Sequence, residues 1–309
     1  MSTTSADWSQ TPERSNRVAL RAMCWAALTL GRRVAHLLLV PVSLYFLLAA
    51  AGPRRNVRRY LNRVLGRPAR WRDCFRVIHA FAITVVDRIY FLRGHAGRFE
   101  VRVHGPDTVL SVLTGGRGAF LMGAHVGSFD AIGHAGRLKG GMRIAMLMYP
   151  DNARQINAVL DAIAPDAERA AVIALGRPEA MLTVRDWLEG GGLAGMLVDR
   201  TISTAVRRDA TRDIPFLGTP APFSEGPFRL AALLRRPVYF MAATWAGGAC
   251  YDVYFEPLAD FSTPAGSAAA QDARIHRAMD AYVARVERLC REAPYNWFNF
   301  HDFWREDAQ

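Results

Sequence analysis

Lysine is almost missing from this chain: of 39 basic residues only Lys139 is not arginine. Cysteine is scarce too. The four, at 24, 74, 250 and 290, form no CxxC pair and no Cys/His ligand spacing, which excludes a disulfide framework and gives no zinc signature. There is no internal repeat and no low-complexity linker, so solenoids and beads-on-a-string arrangements drop out. The nucleophile-elbow pattern GxSxG is also absent. Acidic residues are rare at the start: residues 1–98 hold 17 Arg against 4 Asp and Glu, whereas the remainder is nearly balanced at 22 against 24. Stacking aromatics do not interleave with this arginine, so nucleic acid is not the expected partner. The arginine bias suits bidentate phosphate contacts, and a GC-rich genome would produce the same bias.

What the basic third surrounds is an apolar run, Val34–Ala51, of 18 residues without a formal charge. As a helix it would be about 27 Å long, slightly short of a bilayer's hydrocarbon core. Pro41 falls in its middle and is expected to bend it. Arg32 and Arg33 precede it; Arg54, Arg55, Arg58 and Arg59 follow, so charge assigns no orientation. A cleaved signal and a buried core helix are the competing readings. Arginine on both sides favours an uncleaved anchor that spans or dips into the bilayer and meets anionic headgroups.

At 309 residues and 51% hydrophobic content, the chain can bury a large core. Residues 1–15 are polar and expected to be disordered, as are the last few. Residues 16–93 read as the anchor and a basic helical region, with Phe75, Ile78, Phe81, Ala82, Val85 and Ile89 at helical spacing. Residues 94–309 read as an α/β domain. Strand-like runs at "RFEVRVHG", "AFLMGAH", "RIAMLM", "AAVIAL", "GLAGMLVD", "PVYFMAATW" and "YDVYFEPL" alternate with helical stretches. The helical stretches fall at "GPDTVLSVLTGG", about 128–138, 151–163, 178–190 and 226–235, and at 268–292. The fold class is therefore α/β: a mixed, mostly parallel central sheet flanked by helices, with an N-terminal hydrophobic helical anchor. Residues 201–225 read as a long irregular loop.

The chemistry concentrates in "FLMGAHVGSFDAIG", residues 120–133. The apolar run delivers His125 to a strand's carboxyl end, where α/β sheets place their sites. Gly127 permits a sharp turn, Ser128 is a good N-cap, and Asp130 falls in the first helical turn. A carboxylate on one ring nitrogen would fix the tautomer and leave the other nitrogen as a base. His125 and Asp130 are the candidate pair. Whether Ser128 caps the helix or touches a substrate stays open. His134 and His301 read as structural or surface residues, and the aromatic tail Tyr295–Trp304 either lines a groove or packs.

These residues resemble the lysophospholipid acyltransferase superfamily and, within it, the lipid A late-acyltransferase branch. "HVGSFD" matches the HxxxxD marker at His125 and Asp130. The branch more often reads H-x-G-N-x-E, so Gly127 fits while Ser128 and Asp130 depart from it. "GGLAGMLVDR" is similar to the family's buried strand ending in Asp, with Asp199-Arg200 where many relatives have Asp-Gln. "IPFLGTPAPFSEGPFRLAALLRRPVYF" resembles the stretch with a Phe-x-Gly-x-Pro loop, here Phe216 and Gly218, followed by a helix and a proline-started strand. "APYNWFNFHDFW" resembles the closing Trp-containing tail. The matches keep the family's order over most of residues 20–304. The Tyr-Arg-Pro of many relatives is here Tyr149-Pro150, without the arginine; Arg177 and Arg200 are the candidates to replace it.

The resemblance implies a membrane-associated enzyme that moves a fatty acyl group from an acyl thioester to a hydroxyl of a lipid or glycolipid. The donor would be carried on acyl carrier protein or coenzyme A. His125 would be the general base and Asp130 its orienting carboxylate; Gly127, Ser128, Arg177, Asp199, Arg200, Phe216 and Gly218 would line the substrate site. No metal and no cofactor beyond the thioester co-substrate are implied. The expected place is the cytoplasmic face of a bacterial inner membrane. The acceptor stays open among a lipid A precursor, another glycolipid, a lysophospholipid and a pigment or polyene intermediate. The alternatives are a non-catalytic lipid-binding protein of the same fold and a thioester hydrolase.

Overall fold

The seven strand-like runs become one sheet. The computed structural model describes residues 25–105, 107, 116–138, 142–150, 171–176, 178–201, 203–204, 207–208 and 210–304. The expected disordered start and tail, Cys24, the helix at 151–163, most of the "GPDTVLSVLTGG" stretch and Arg177 lie outside the described residues.

The sheet strands are β1 (Glu100–His104), β2 (Ala119–Gly127), β3 (Ile144–Met148), β4 (Ala171–Ala174), β5 (Leu193–Leu197), β10 (Pro237–Gly247) and β11 (Cys250–Asp260). Two short pairs, β6 (Ser203–Thr204) with β7 (Arg207–Arg208) and β8 (Thr211–Phe216) with β9 (Thr219–Ser224), stand apart from it. The order is β1-β11-β10-β2-β5-β3-β4, and every neighbouring pair is parallel except β10 with β11. This is the mixed, mostly parallel sheet expected from the alternation of strands and helices.

Strand β2 lies near the middle, and its alternate side chains serve both faces. Phe120, Met122, Ala124 and Val126 enter one core, while Ala119 and Leu121 enter the other. A strand buried on both sides must be apolar throughout, which explains the unbroken "AFLMGA".

Helices cover both faces: α1 (Arg32–Ala49), α2 (Ala51–Leu65), α3 (Trp71–Leu92), α4 (Phe129–Leu138), α5 (Pro178–Glu189), α6 (Gly226–Leu233) and α7 (Ala268–Glu292). Ile83, Val86 and Ile89 of α3 pack with Leu121; Tyr282, Val283 and Val286 of α7 share the opposite core with Phe120 and with Val57 and Tyr60 of α2. The N-terminal helices are thus built into the α/β core.

Helix α1 is the one described helix long and apolar enough to cross a membrane. It continues through Pro41 and buries a single stripe, Ala35, Leu39, Ser43 and Leu47, at four-residue spacing. Its N-terminus is locked by Asp87 of α3. This fully buried carboxylate takes two bonds from Arg32 at 2.8 and 2.7 Å, one from the Tyr251 hydroxyl at 2.8 Å, and contacts His36 Nε2 at 3.2 Å.

The expected irregular loop at 201–225 contains a β-hairpin instead. Leu217 and Gly218, at φ 50° and 82°, form the two-residue turn between β8 and β9. Pro215, Pro220 and Pro222 disguise the strands, and a pair outside the main sheet tolerates the missing donors.

Candidate active site

His125 sits at the carboxyl end of β2, and its carboxylate partner comes from the adjacent strand. Strands β2 and β5 run parallel in a register that pairs Gly123 with Leu197. Two further residues along each chain bring His125 opposite Asp199, on the same side because strand side chains alternate. The result is a 2.7 Å contact between His125 Nδ1 and Asp199 Oδ1. Asp199 Oδ2 accepts the His125 backbone N–H at 3.0 Å and the indole N–H of Trp297 at 3.0 Å. The buried carboxylate thus takes three hydrogen bonds, one on Oδ1 and two on Oδ2.

The expected orienting residue, Asp130, does something else. It accepts from Arg88 Nε of α3 at 2.7 Å, tying the first turn of α4 to α3. The pairing of His125 with Asp130 is corrected accordingly: the carboxylate on the ring is Asp199. The cause is the turn at Gly127. At φ 65° it swings the chain off the strand, and a Cβ there would stand 1.7 Å from the Ala243 carbonyl oxygen, so only glycine fits. Helix α4 then departs with Asp130 facing α3.

Ser128 is buried, and its hydroxyl accepts from the Ala131 N–H at 3.3 Å. It caps α4. Phe216 is also fully buried, 5.3 Å from the Trp297 ring and stacked on Trp304 at 5.9 Å. It supports Trp297 from beneath and does not line an open surface. Gly218 shapes the hairpin turn. Arg200 follows Asp199 and lies close enough to act electrostatically on both His125 and Asp199.

The charge states follow from burial and partners. Burial pushes the His125 imidazole below its ordinary value, Arg200 pushes the same way, and Asp199 opposes them. Burial alone would raise Asp199, but His125, Arg200 and Trp297 outweigh it and hold this carboxyl well below the usual range. The pair is thus a neutral imidazole donating Nδ1–H to an ionised carboxylate. Nε2 makes no hydrogen bond to any described residue, and 27% of the side chain stays exposed against 2% for Asp199.

Sequence reasoning missed the part played by the tail. The Gly127 N–H donates to Asn296 O and the Phe298 N–H to His125 O, each at 2.8 Å, so residues 296–298 bridge onto the end of β2. Asn296 also bonds both backbone groups of Trp245. His301 comes near the same site; burial, with Arg200 next, pushes it down to about 4. The aromatic density of "YNWFNFHDFW" announced packing, but nothing in it singled out the indole that holds Asp199.

No protein-family model matches the chain, and no curated protein matches it either.

Proposed function

We propose that the chain is a membrane-associated acyltransferase that moves a fatty acyl group from a thioester to a hydroxyl of a lipid or glycolipid. The observation that carries this reading is the His125–Asp199 pair at the carboxyl edge of the sheet, with Nε2 left for a reacting group. In the proposed step Nε2 takes the proton of the acceptor hydroxyl as its oxygen attacks the thioester carbonyl. Asp199 fixes the tautomer and balances the imidazolium that forms. Collapse of the tetrahedral intermediate breaks the C–S bond, and the imidazolium returns its proton to the leaving thiolate. In the same proposed step Arg200 offsets negative charge on the intermediate's oxygen.

The resemblance of "HVGSFD" and the ordered downstream segments to lysophospholipid and lipid A acyltransferases supports the same reading. So does α1, which suits a bilayer by length and composition; work at the cytoplasmic face of a bacterial inner membrane is part of the proposal. Donor carriage on acyl carrier protein or coenzyme A belongs to the proposal.

The test compares lipid extracts by mass spectrometry from cells carrying the wild-type chain and His125→Ala. The expected result is loss of one acylated lipid and accumulation of its acceptor with a free hydroxyl. Unchanged lipids would overturn the reading in favour of a binding protein, and thioester cleavage with no acyl acceptor would make it a hydrolase.

A further inference from the structure

A cavity of about 480 Å³ opens where α1 ends and α2 begins; it is lined by Arg54, Arg55, Arg58, Arg70, Trp71 and Cys74 among others, and His125 is not part of the lining. None of its described lining residues is acidic. Arg58 and Arg70, facing one cavity, repel each other unless an anion joins them. The chain reaches this arrangement by doubling back after α2: the Ala69 N–H donates to Asn62 Oδ1 at 2.7 Å, so residues 67–70 run beside α2 and return Trp71 to its first turn.

Part of the site is held in place beforehand. Arg54 donates to the Leu47 and Leu48 carbonyls at the end of α1, and its guanidinium carbon lies 4.6 Å from the centre of the Trp71 ring. Asp73, beside the lining residues Trp71 and Cys74 in sequence, is already engaged by Arg67 at 2.8 Å, the Arg70 amide at 2.8 Å and the Tyr295 hydroxyl at 3.2 Å. Arg58 and Arg70 form no ion pair among the described residues.

The surface leading to the cavity indicates the source of the anion. Opposite its buried stripe, α1 exposes Leu37 (70%), Leu38, Leu44, Tyr45 (59%) and Leu48 (60%). This apolar row ends at Leu48, whose carbonyl accepts from the cavity residue Arg54, and Trp71 of the cavity lining is half-exposed. Both ends of α1 are tied to the domain, by Arg32 to Asp87 and by buried Leu47, so the helix offers its side to a membrane. An in-plane apolar helix with cations at its end matches acyl chains below and phosphates at the headgroup level.

We infer that this arginine cavity binds the phosphate of an anionic membrane lipid, with α1 lying in the interface beside it. The phosphate oxygens take forked N–H donors from Arg58 and Arg70, while Arg54 supplies a fixed positive wall. The site is separate from the acyl-transfer centre and needs no turnover. It rests on the membrane reading of α1, and the test separates the two.

The full chain is purified in detergent and floated with vesicles of phosphatidylcholine alone or phosphatidylcholine with phosphatidylglycerol. Wild type should bind both and prefer the anionic vesicles. Arg58→Gln with Arg70→Gln should lose roughly 30-fold in partitioning onto anionic vesicles, with neutral binding and thermal midpoint retained. Leu37→Ser with Leu48→Ser should weaken both. Equal anionic binding by wild type and the arginine variant would overturn the cavity. Absence of binding to either vesicle would overturn the membrane reading of α1 and, with it, the lipid occupant. A thermal shift by inorganic phosphate that the arginine variant abolishes, without any vesicle preference, would assign the cavity to a soluble phosphate. Loss of capture of an acidic carrier protein, with vesicle binding intact, would assign it to that protein.

Discussion

Two buried aspartates, Asp87 and Asp199, hold similar partners and do different things. Each contacts a histidine ring nitrogen, and each accepts from an aromatic side chain, Tyr251 for Asp87 and Trp297 for Asp199. Asp87 also takes two bonds from Arg32, whose permanent charge neutralises it. That pairing clamps the start of α1 and leaves the carboxylate nothing further to do. The strongest side-chain bond to Asp199 comes instead from a titratable ring, and that ring keeps its second nitrogen unbonded at the strand's end. The Arg32 pairing makes Asp87 a lock, whereas the His125 pairing leaves Nε2 open, as the proposed general base requires.

The sharpest way to break this comparison is at the Asp199 end. Asp199→Asn should lower acyl transfer by roughly a thousandfold, because the amide no longer holds the Nδ1–H tautomer. Asp130→Asn should lower it by less than about tenfold, since it severs only the link to Arg88. Steady-state rates on the lipid identified from the His125→Ala comparison decide this, and the reverse ranking would restore Asp130 as the orienting group.

At the other end, Asp87→Asn leaves Arg32 facing a neutral amide and should cost about 3–5 kcal/mol of stability. Denaturant titration measures it, and activity per folded molecule should persist.

Acid sharpens the contrast from a different side. Burial alone would raise Asp87, but His36, Arg32 and Tyr251 bring it below the usual range, and Asp199 lies lower than usual as well. Both bind fewer protons folded than unfolded, so their stabilisation is present above about pH 4 and lost as pH falls through their folded values. His125 is lowered too, so the acid limb of the rate profile should bend below about pH 6.5. A bend above that value would mean the base is a different group.

The smallest effect belongs to Ser128→Ala. Removing the N-cap of α4 should cost about 1 kcal/mol in thermal unfolding with little change in turnover. A large kinetic loss would give Ser128 a role with substrate.

Much of the fold was legible along the chain because strand burial writes itself as apolar runs and helix burial as periodic ones. All seven sheet strands coincide with runs such as "AFLMGAH" and "PVYFMAATW". The hairpin at Thr211–Ser224 was not legible, since prolines inside it mimic a loop. Val34–Ala51 showed that α1 is apolar, but only packing showed which stripe faces α3.

The sequence by itself determined the composition of the layers, the place of His125 at a strand end, and the glycine turn that follows it. These follow from local chemistry: periodicity, the sterics of φ, and capping. Which carboxylate meets the imidazole was decided by tertiary structure alone. His125 and Asp199 are 74 residues apart, and only the lateral register of β2 on β5 brings them to 2.7 Å. Asp130, five residues away in sequence, was turned toward Arg88 because a helix begins between it and the histidine. Sequence proximity constrains the backbone path; hydrogen-bond partners are chosen by which strands lie side by side.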